Sequence, residues 1–186
     1  MNGALALLLK NGITPNAWVT IDPMMDILDY LKETPESVTY YPASVCHPAV
    51  LNRLKNLPKV YLWHLLSDLP LPSSFTQIGG GSTTACRAPM LATALGYKRV
   101  TLFGVDSSWE ADDAFHADGR AVPLTGRDGD QAIVVKCSNG REYRSSKALL
   151  SQATYLGYLK QRFPGKLDVR GKGLAPDLCA NLKGTH

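Results

Sequence analysis

The stretch Gln77-Ile78-Gly79-Gly80-Gly81-Ser82-Thr83-Thr84, with the apolar run Ala85 to Leu95 behind it, decides how the chain folds. Phe75 to Ile78 reads as the end of a short buried strand, and Ala85 to Leu95 as a helix. The three glycines between them let the backbone take conformations closed to other residues and let a ligand approach without meeting a Cβ. Ser82 or Thr83 is the expected helix cap. A helix start carries unpaired N–H groups and the positive end of the macrodipole, so it suits phosphate. Gly96 stops the helix. Arg99 to Phe103 then reads as a buried strand, closed by Gly104 and followed by Val105-Asp106-Ser107-Ser108. Strand, glycine loop, helix, strand and polar tip is how an α/β protein builds an anion or nucleotide site at the carboxyl ends of its strands. Many such loops bind nothing. The pattern is neither GxGxxG nor a Walker loop, because no Gly-Lys-Ser/Thr follows, and spacing alone leaves both readings open.

Working outward toward the amino end, Gly3 to Lys10 reads as a helix closed by Asn11-Gly12. Ala17 to Ile21 is a strand ending in Asp22-Pro23, where Asp22 either faces a ligand or caps a helix over Met24 to Lys32. Val38 to Tyr41 is a second strand, and His47-Pro48 opens a helix reaching about Leu54. Lys59 to Trp63 is a third strand ending in His64, and the prolines of Ser67 to Ser74 mark a loop. Pro89 should bend the helix behind the glycines or distort its first turns. Strands alternating with helices imply a mostly parallel sheet covered on both faces.

Beyond Asp106 the rhythm changes. Glu110 to Gly129 is polar and reads as a long surface loop, a common place for function. Gln131 to Cys137 and Arg141 to Arg144 form a hairpin across Ser138-Asn139-Gly140. Ser145 or Ser146 caps a helix to about Phe163, stopped by Pro164-Gly165; Lys166 to Val169 is a last strand and Gly173 to Leu182 a last helix.

At 186 residues the chain suits one domain with a sizeable core. An apolar fraction of 45% with 19% charged residues excludes disorder. The net charge of +4 is scattered apart from a small Lys166, Arg170, Lys172, Lys183 group. A nucleic-acid face would need a denser stripe interleaved with aromatics, so no nucleic-acid partner is expected. Cys46, Cys86, Cys137 and Cys179 form no CxxC pair and read as buried thiols of a reducing cytoplasm, with zinc unsupported by any ligand spacing. The apolar segment Ala4 to Leu9 is too short to span a bilayer and is broken by Lys10, so no membrane partner is expected.

With these residues in place, the chain resembles the 6-hydroxymethylpterin diphosphokinase MptE-like family, including versions encoded in phage and prophage genomes. The matching pieces are Asn2-Gly3-Ala4, Gly12-Ile13-Thr14-Pro15, Asp22-Pro23, Cys46-His47-Pro48 and Leu62-Trp63-His64. The most specific are Ile78-Gly79-Gly80-Gly81-Ser82-Thr83, Leu95-Gly96-Tyr97 and Leu102 through Ser108; His116, Gln152 and Gly171-Lys172-Gly173-Leu174 also fit. The resemblance implies a Rossmann-like, three-layer α/β fold over residues 1–186, with the hairpin as an insertion near the carboxyl-terminal third. It also implies a transferase using a nucleotide, with diphosphate transfer from ATP and Mg²⁺ in the archaeal members. The core is similar to those of bacterial sialyltransferases and flagellin-glycosylation factors, which use a sugar nucleotide. Family members usually carry a further amino-terminal strand and glycine turn, and this chain starts after them. That departure favours a second class of function, a non-catalytic binding module in a phage-related setting.

On this resemblance, Gly79, Gly80, Gly81, Ser82 and Thr83 hold phosphate through backbone N–H groups and hydroxyls, with Ser107 and Ser108 as further nucleotide contacts. Asn2 could bond a base or ribose, or cap the first helix. Asp22 or Asp106 could hold Mg²⁺ through a carboxylate, the nucleotide phosphates and water completing its shell, or could cap a helix or turn. Asp106 and His116 are the catalytic candidates, His116 because its ordinary pKa suits proton removal from an acceptor hydroxyl, although a loop histidine can be merely exposed. His64 could face the cleft or pack beneath a loop. Arg87 could reach a phosphate or point to solvent. A sheet edge left by the absent strand would invite a homodimer.

Overall fold

The computed structural model describes residues 1–68, 71–109 and 132–181. The chain divides into two compact units, Met1–Ala94 and Leu95–His186. Both mix helices with short strands, and three of the four strand pairs among the described residues are parallel, so the class is α/β as expected.

The amino-terminal unit runs α1 (Ala4–Lys10), β1 (Ala17–Thr20), a 3-10 helix (Met25–Leu31), β2 (Thr39–Pro42), α2 (Pro48–Leu54), β3 (His64–Leu65), β4 (Gln77–Ile78) and α3 (Thr84–Ala94). β1 and β2 pair in parallel from Ala17 opposite Thr39 to Thr20 opposite Pro42. The other edge of β2 meets the incoming chain through single bridges, Tyr40 to Val60 and Ala43 to Trp63. That chain then becomes β3 and pairs in parallel with β4, His64 opposite Gln77 and Leu65 opposite Ile78. The expected third strand, Lys59 to Trp63, thus runs along β2, the Tyr40 N–H donating to the Lys59 carbonyl at 2.8 Å and the Tyr61 N–H to the Tyr40 carbonyl at 2.9 Å, and leads into β3. The ladder with β4 begins only where the His64 N–H finds the Thr76 carbonyl. The expected helix over Met24 to Lys32 is a 3-10 helix, entered through an Asp22 side chain that accepts the Met24 N–H at 3.0 Å.

Trp18, Tyr40, Trp63, Leu5, Ile27, Leu31, Val50 and Leu54 form the heart of this unit's core. Each indole is buried with its N–H satisfied: Trp18 donates to the Asn2 carbonyl and Trp63 to the Tyr41 carbonyl, both at 3.1 Å. α2 begins as its sequence dictates. Pro48 occupies the first turn and His47 caps it, Nδ1 accepting the Ala49 N–H at 3.2 Å. α3 packs against β1 and β4 and runs through Pro89, which is buried.

The carboxyl-terminal unit contains β5 (Val100–Phe103), β6 (Ile133–Lys136), β7 (Glu142–Ser145), α4 (Lys147–Arg162), β8 (Leu167–Arg170) and α5 (Leu174–Asn181). β5 and β8 are parallel, Val100 opposite Leu167 and Phe103 opposite Arg170. β6 and β7 form the expected antiparallel hairpin, with Gly140 at φ +83° in its turn. Ser146 caps α4 by accepting the Leu149 N–H at 3.3 Å. Ala153, Leu156, Gly157 and Leu159 form the buried stripe of α4, against α5 and β8.

Candidate functional site

The glycine loop lies between β4 and α3. Gly80 has φ +140°, and a Cβ there would stand 3.0 Å from Arg87 Cγ and 3.3 Å from Arg87 Cα. A side chain at this position is therefore both strained and obstructed. The close approach exists because Arg87, on the first turns of α3, folds back under the loop. Its Nε donates to the Gly81 carbonyl at 2.8 Å and its Nη1 to the Ile78 carbonyl at 2.5 Å. Arg87 thus neither reaches outward for a phosphate nor simply points to solvent; it ties down loop carbonyls.

Thr83 is the cap, its hydroxyl accepting the Cys86 N–H at 3.3 Å, while Ser82 is exposed. Among the described residues, the hydrogen bonds of the protein give no acceptor to the N–H groups of Gly79, Gly80, Gly81, Ser82 or Thr83. Carbonyls turned inward and amides left unpaired are the polarity an anion site needs.

Behind the loop, Thr84 is buried and ties three segments together. Its hydroxyl accepts the Ile21 N–H at 3.3 Å and donates to Asn2 Oδ1 at 3.4 Å, and Asn2 Nδ2 reaches Asp22 Oδ2 at 3.5 Å. The end of β1, the start of α1 and the start of α3 are therefore one polar knot. Asn2 and Asp22 engage each other, and Asn2 also takes the Thr84 hydroxyl. Thr84 itself escaped the sequence reading, which stopped at the two hydroxyl residues before it. His64 stacks on Phe75, centroids 4.6 Å apart and planes 15° from parallel.

The second cluster belongs to the carboxyl-terminal unit, at the carboxyl end of β5. Ser107 has φ +56°, the positive-φ residue that is not glycine among those described. Such backbone persists only where surroundings over-determine it. Here Ser145 Oγ donates to the Ser107 carbonyl at 2.8 Å, and Gln152 Nε2 donates to Ser107 Oγ at 2.9 Å. Ser108 Oγ accepts the Leu174 N–H at 3.0 Å and the Asp106 carbonyl accepts the Ala175 N–H at 2.9 Å, so this tip caps α5. Gly171 and Gly173 make that docking possible. A Cβ on Gly173 would lie 2.4 Å from the Asp106 carbonyl oxygen, and one on Gly171 2.3 Å from Asp106 Oδ1. Asp106 Oδ1 is buried and has no hydrogen-bond partner among the described residues.

An oxygen donor without a partner fits a hard cation such as Mg²⁺, which takes one or two protein carboxylates and completes its shell with phosphates and water. Asp22 fits less freely, since Met24 and Asn2 already engage both its oxygens. Asn2, Asp22 and Gly79 to Thr83 lie in the amino-terminal unit, and Asp106, Ser107 and Ser108 in the carboxyl-terminal one. His116 lies outside the described residues, as does the whole of the polar segment expected over Glu110 to Gly129. All four cysteines are buried and none is in a disulfide; burial pushes the Cys46 and Cys179 thiols up to about 11, which makes both poor nucleophiles.

Among solved structures, the chain is similar to the MAf glycosyltransferase of Magnetospirillum magneticum AMB-1, with a TM-score of 0.66 and 19% sequence identity. The likeness covers 96% of this chain and 31% of that one, so the chain spans about a third of the larger protein's length, and at this identity it is a likeness of fold. No curated protein matches the sequence. The pattern that describes 6-hydroxymethylpterin diphosphokinase MptE-like proteins matches residues 1–112. That stretch holds the polar knot of Asn2 and Thr84, the braced glycine loop, and the tip at Asp106; the chain belongs to the 6-hydroxymethylpterin diphosphokinase MptE-like family.

Proposed function

We propose that this chain is a nucleotide-dependent transferase core of the MptE-like type, carrying out diphosphate transfer from ATP on a Rossmann-like, three-layer scaffold. The observation that carries the reading is the glycine loop: its carbonyls at Ile78 and Gly81 are tied down by Arg87, and its amides from Gly79 to Thr83 have no protein acceptor among the described residues. Those amides and the positive end of α3 would hold a phosphate group of the nucleotide. Donors already fixed in place need no reorganisation as charge develops on a transferred group. Asp106, through its unpartnered Oδ1, would hold Mg²⁺. When bound, that ion would supply positive charge beside Asp106.

A sugar nucleotide is the second donor to test, because the fold follows that of a glycosyltransferase over nearly its whole length. ATP, CMP, UDP-sugars and GDP-sugars, each with and without Mg²⁺, form the thermal-shift panel that separates the donors. Binding to the folded state stabilises it by mass action, so even modest affinity registers at millimolar ligand. A shift with ATP that grows with Mg²⁺ and disappears in Gly80→Val supports diphosphate transfer. A shift confined to one sugar nucleotide supports the glycosyl donor. No shift with any nucleotide overturns both.

A further inference from the structure

A concave space lies on the β5–β8 pair. A cavity of about 820 Å³ is lined there by Arg99, Thr101, Lys160, Lys166, Asp168 and Arg170 among others. Arg99 immediately precedes β5 and Lys166 immediately precedes β8, so in this parallel pair both cations stand at the amino ends. Asp106 follows the carboxyl end of β5. Lys160 comes from the last turn of α4, where it also complements the helix dipole. The cavity's one carboxylate, Asp168, is already matched: Arg170 Nε donates to it at 2.7 Å. Among the described residues, no carboxylate lies within ion-pairing distance of Arg99, Lys160 or Lys166. Three cations from three segments therefore line one concave space whose one carboxylate among the described residues, Asp168, is bonded to Arg170 and also feels Lys160, leaving an excess of positive charge. Like charges drawn together repel one another, and an anion among them relieves that repulsion.

We infer that this cavity binds a small polyanion, of the class of a di- or triphosphate chain or a phosphorylated sugar. Its volume falls in the usual range for small-molecule sites, and the Thr101 hydroxyl adds a neutral hydrogen-bonding group. The site is independent of the glycine loop: no residue is shared, and the inference stands if the proposed transferase reading fails.

Inorganic tripolyphosphate is the probe, titrated calorimetrically into the full chain at physiological ionic strength. The background is Gly80→Val, so that the glycine loop contributes nothing to the signal. In that background, binding should persist at one equivalent. Arg99→Ser with Lys166→Ser should weaken it by about tenfold or more, since charge-assisted bonds are the strong ones. Lys55→Ser with Lys59→Ser, an equal loss of charge elsewhere, should leave it unchanged. Circular dichroism on each variant confirms folding, and should the Arg99/Lys166 pair fail to fold, Lys166→Glu alone supplies the same comparison. No binding in the Gly80→Val background, or equal weakening by the two double variants, overturns the inference.

Discussion

Arg87 sits six positions after Gly81 and nine after Ile78, yet it bonds both carbonyls. Its removal should loosen the loop directly. Arg87→Ala leaves two carbonyls without their charged donor, and the expected loss is about 1–3 kcal/mol in urea denaturation, with nucleotide binding weakened as well. Thr84→Val is the sharper probe of the knot behind the loop. The shapes match, but the Ile21 N–H and Asn2 Oδ1 both lose the Thr84 hydroxyl, so about 1–3 kcal/mol should again disappear. A wild-type denaturation midpoint for Thr84→Val would show that the knot is idle. Gly173→Ala forces a methyl against the Asp106 backbone, 2.4 Å away, where nothing flexible can yield. Its expected cost is about 1–3 kcal/mol or more, in the range of overpacked cores. Periodicity assigns a residue to a face and says nothing of how far a long side chain reaches back, so Arg87's task was invisible in the sequence. The same holds for Gly171 and Gly173, whose reason is a close approach to Asp106.

At the scale of elements, the sequence was most legible where local chemistry suffices. Pro48 behind a capping His47, Asn139-Gly140 between alternating strands, and Ser146 ahead of an amphipathic run each specify their element without outside help. The Ser146 cap should be worth about 1 kcal/mol, so Ser146→Ala ought to lower stability by that amount in chemical denaturation, with no effect on nucleotide binding. Legibility failed where pairing decides. Lys59 to Trp63 has the composition of a strand and does bond β2 in parallel, through Lys59, Tyr61 and Trp63, but its bridges fall only at Val60 and Trp63 and the two-residue ladder with β4 starts at His64. The segment after Pro23 has helical apolar spacing, but its hydrogen bonds close in the tighter 3-10 form, entered through the Asp22 side chain. Loop, helix and following strand were all readable around Gly79. The bracing of that loop was not, since it depends on Arg87 meeting Gly80 in space.

For the whole molecule, four buried thiols tie stability to alkaline pH. A thiol whose pKa is higher folded than unfolded keeps its proton longer on the folded chain. Its contribution is whole below the ordinary value of 9.0 and is lost as pH rises to about 11, the folded value of Cys46 and Cys179. The melting temperature should therefore fall across that window, and fall less steeply in Cys46→Ala with Cys179→Ala. An unchanged slope in the double variant would place the alkaline loss elsewhere.

The central claim concerns five amides. A titration of the isotope-labelled chain with ATP and Mg²⁺, followed by amide resonances, reads them one by one. The account predicts that the largest shifts fall on Gly79, Gly80, Gly81, Ser82 and Thr83, and that Arg87→Ala diminishes them. Saturable nucleotide binding that leaves those five resonances in place would contradict it.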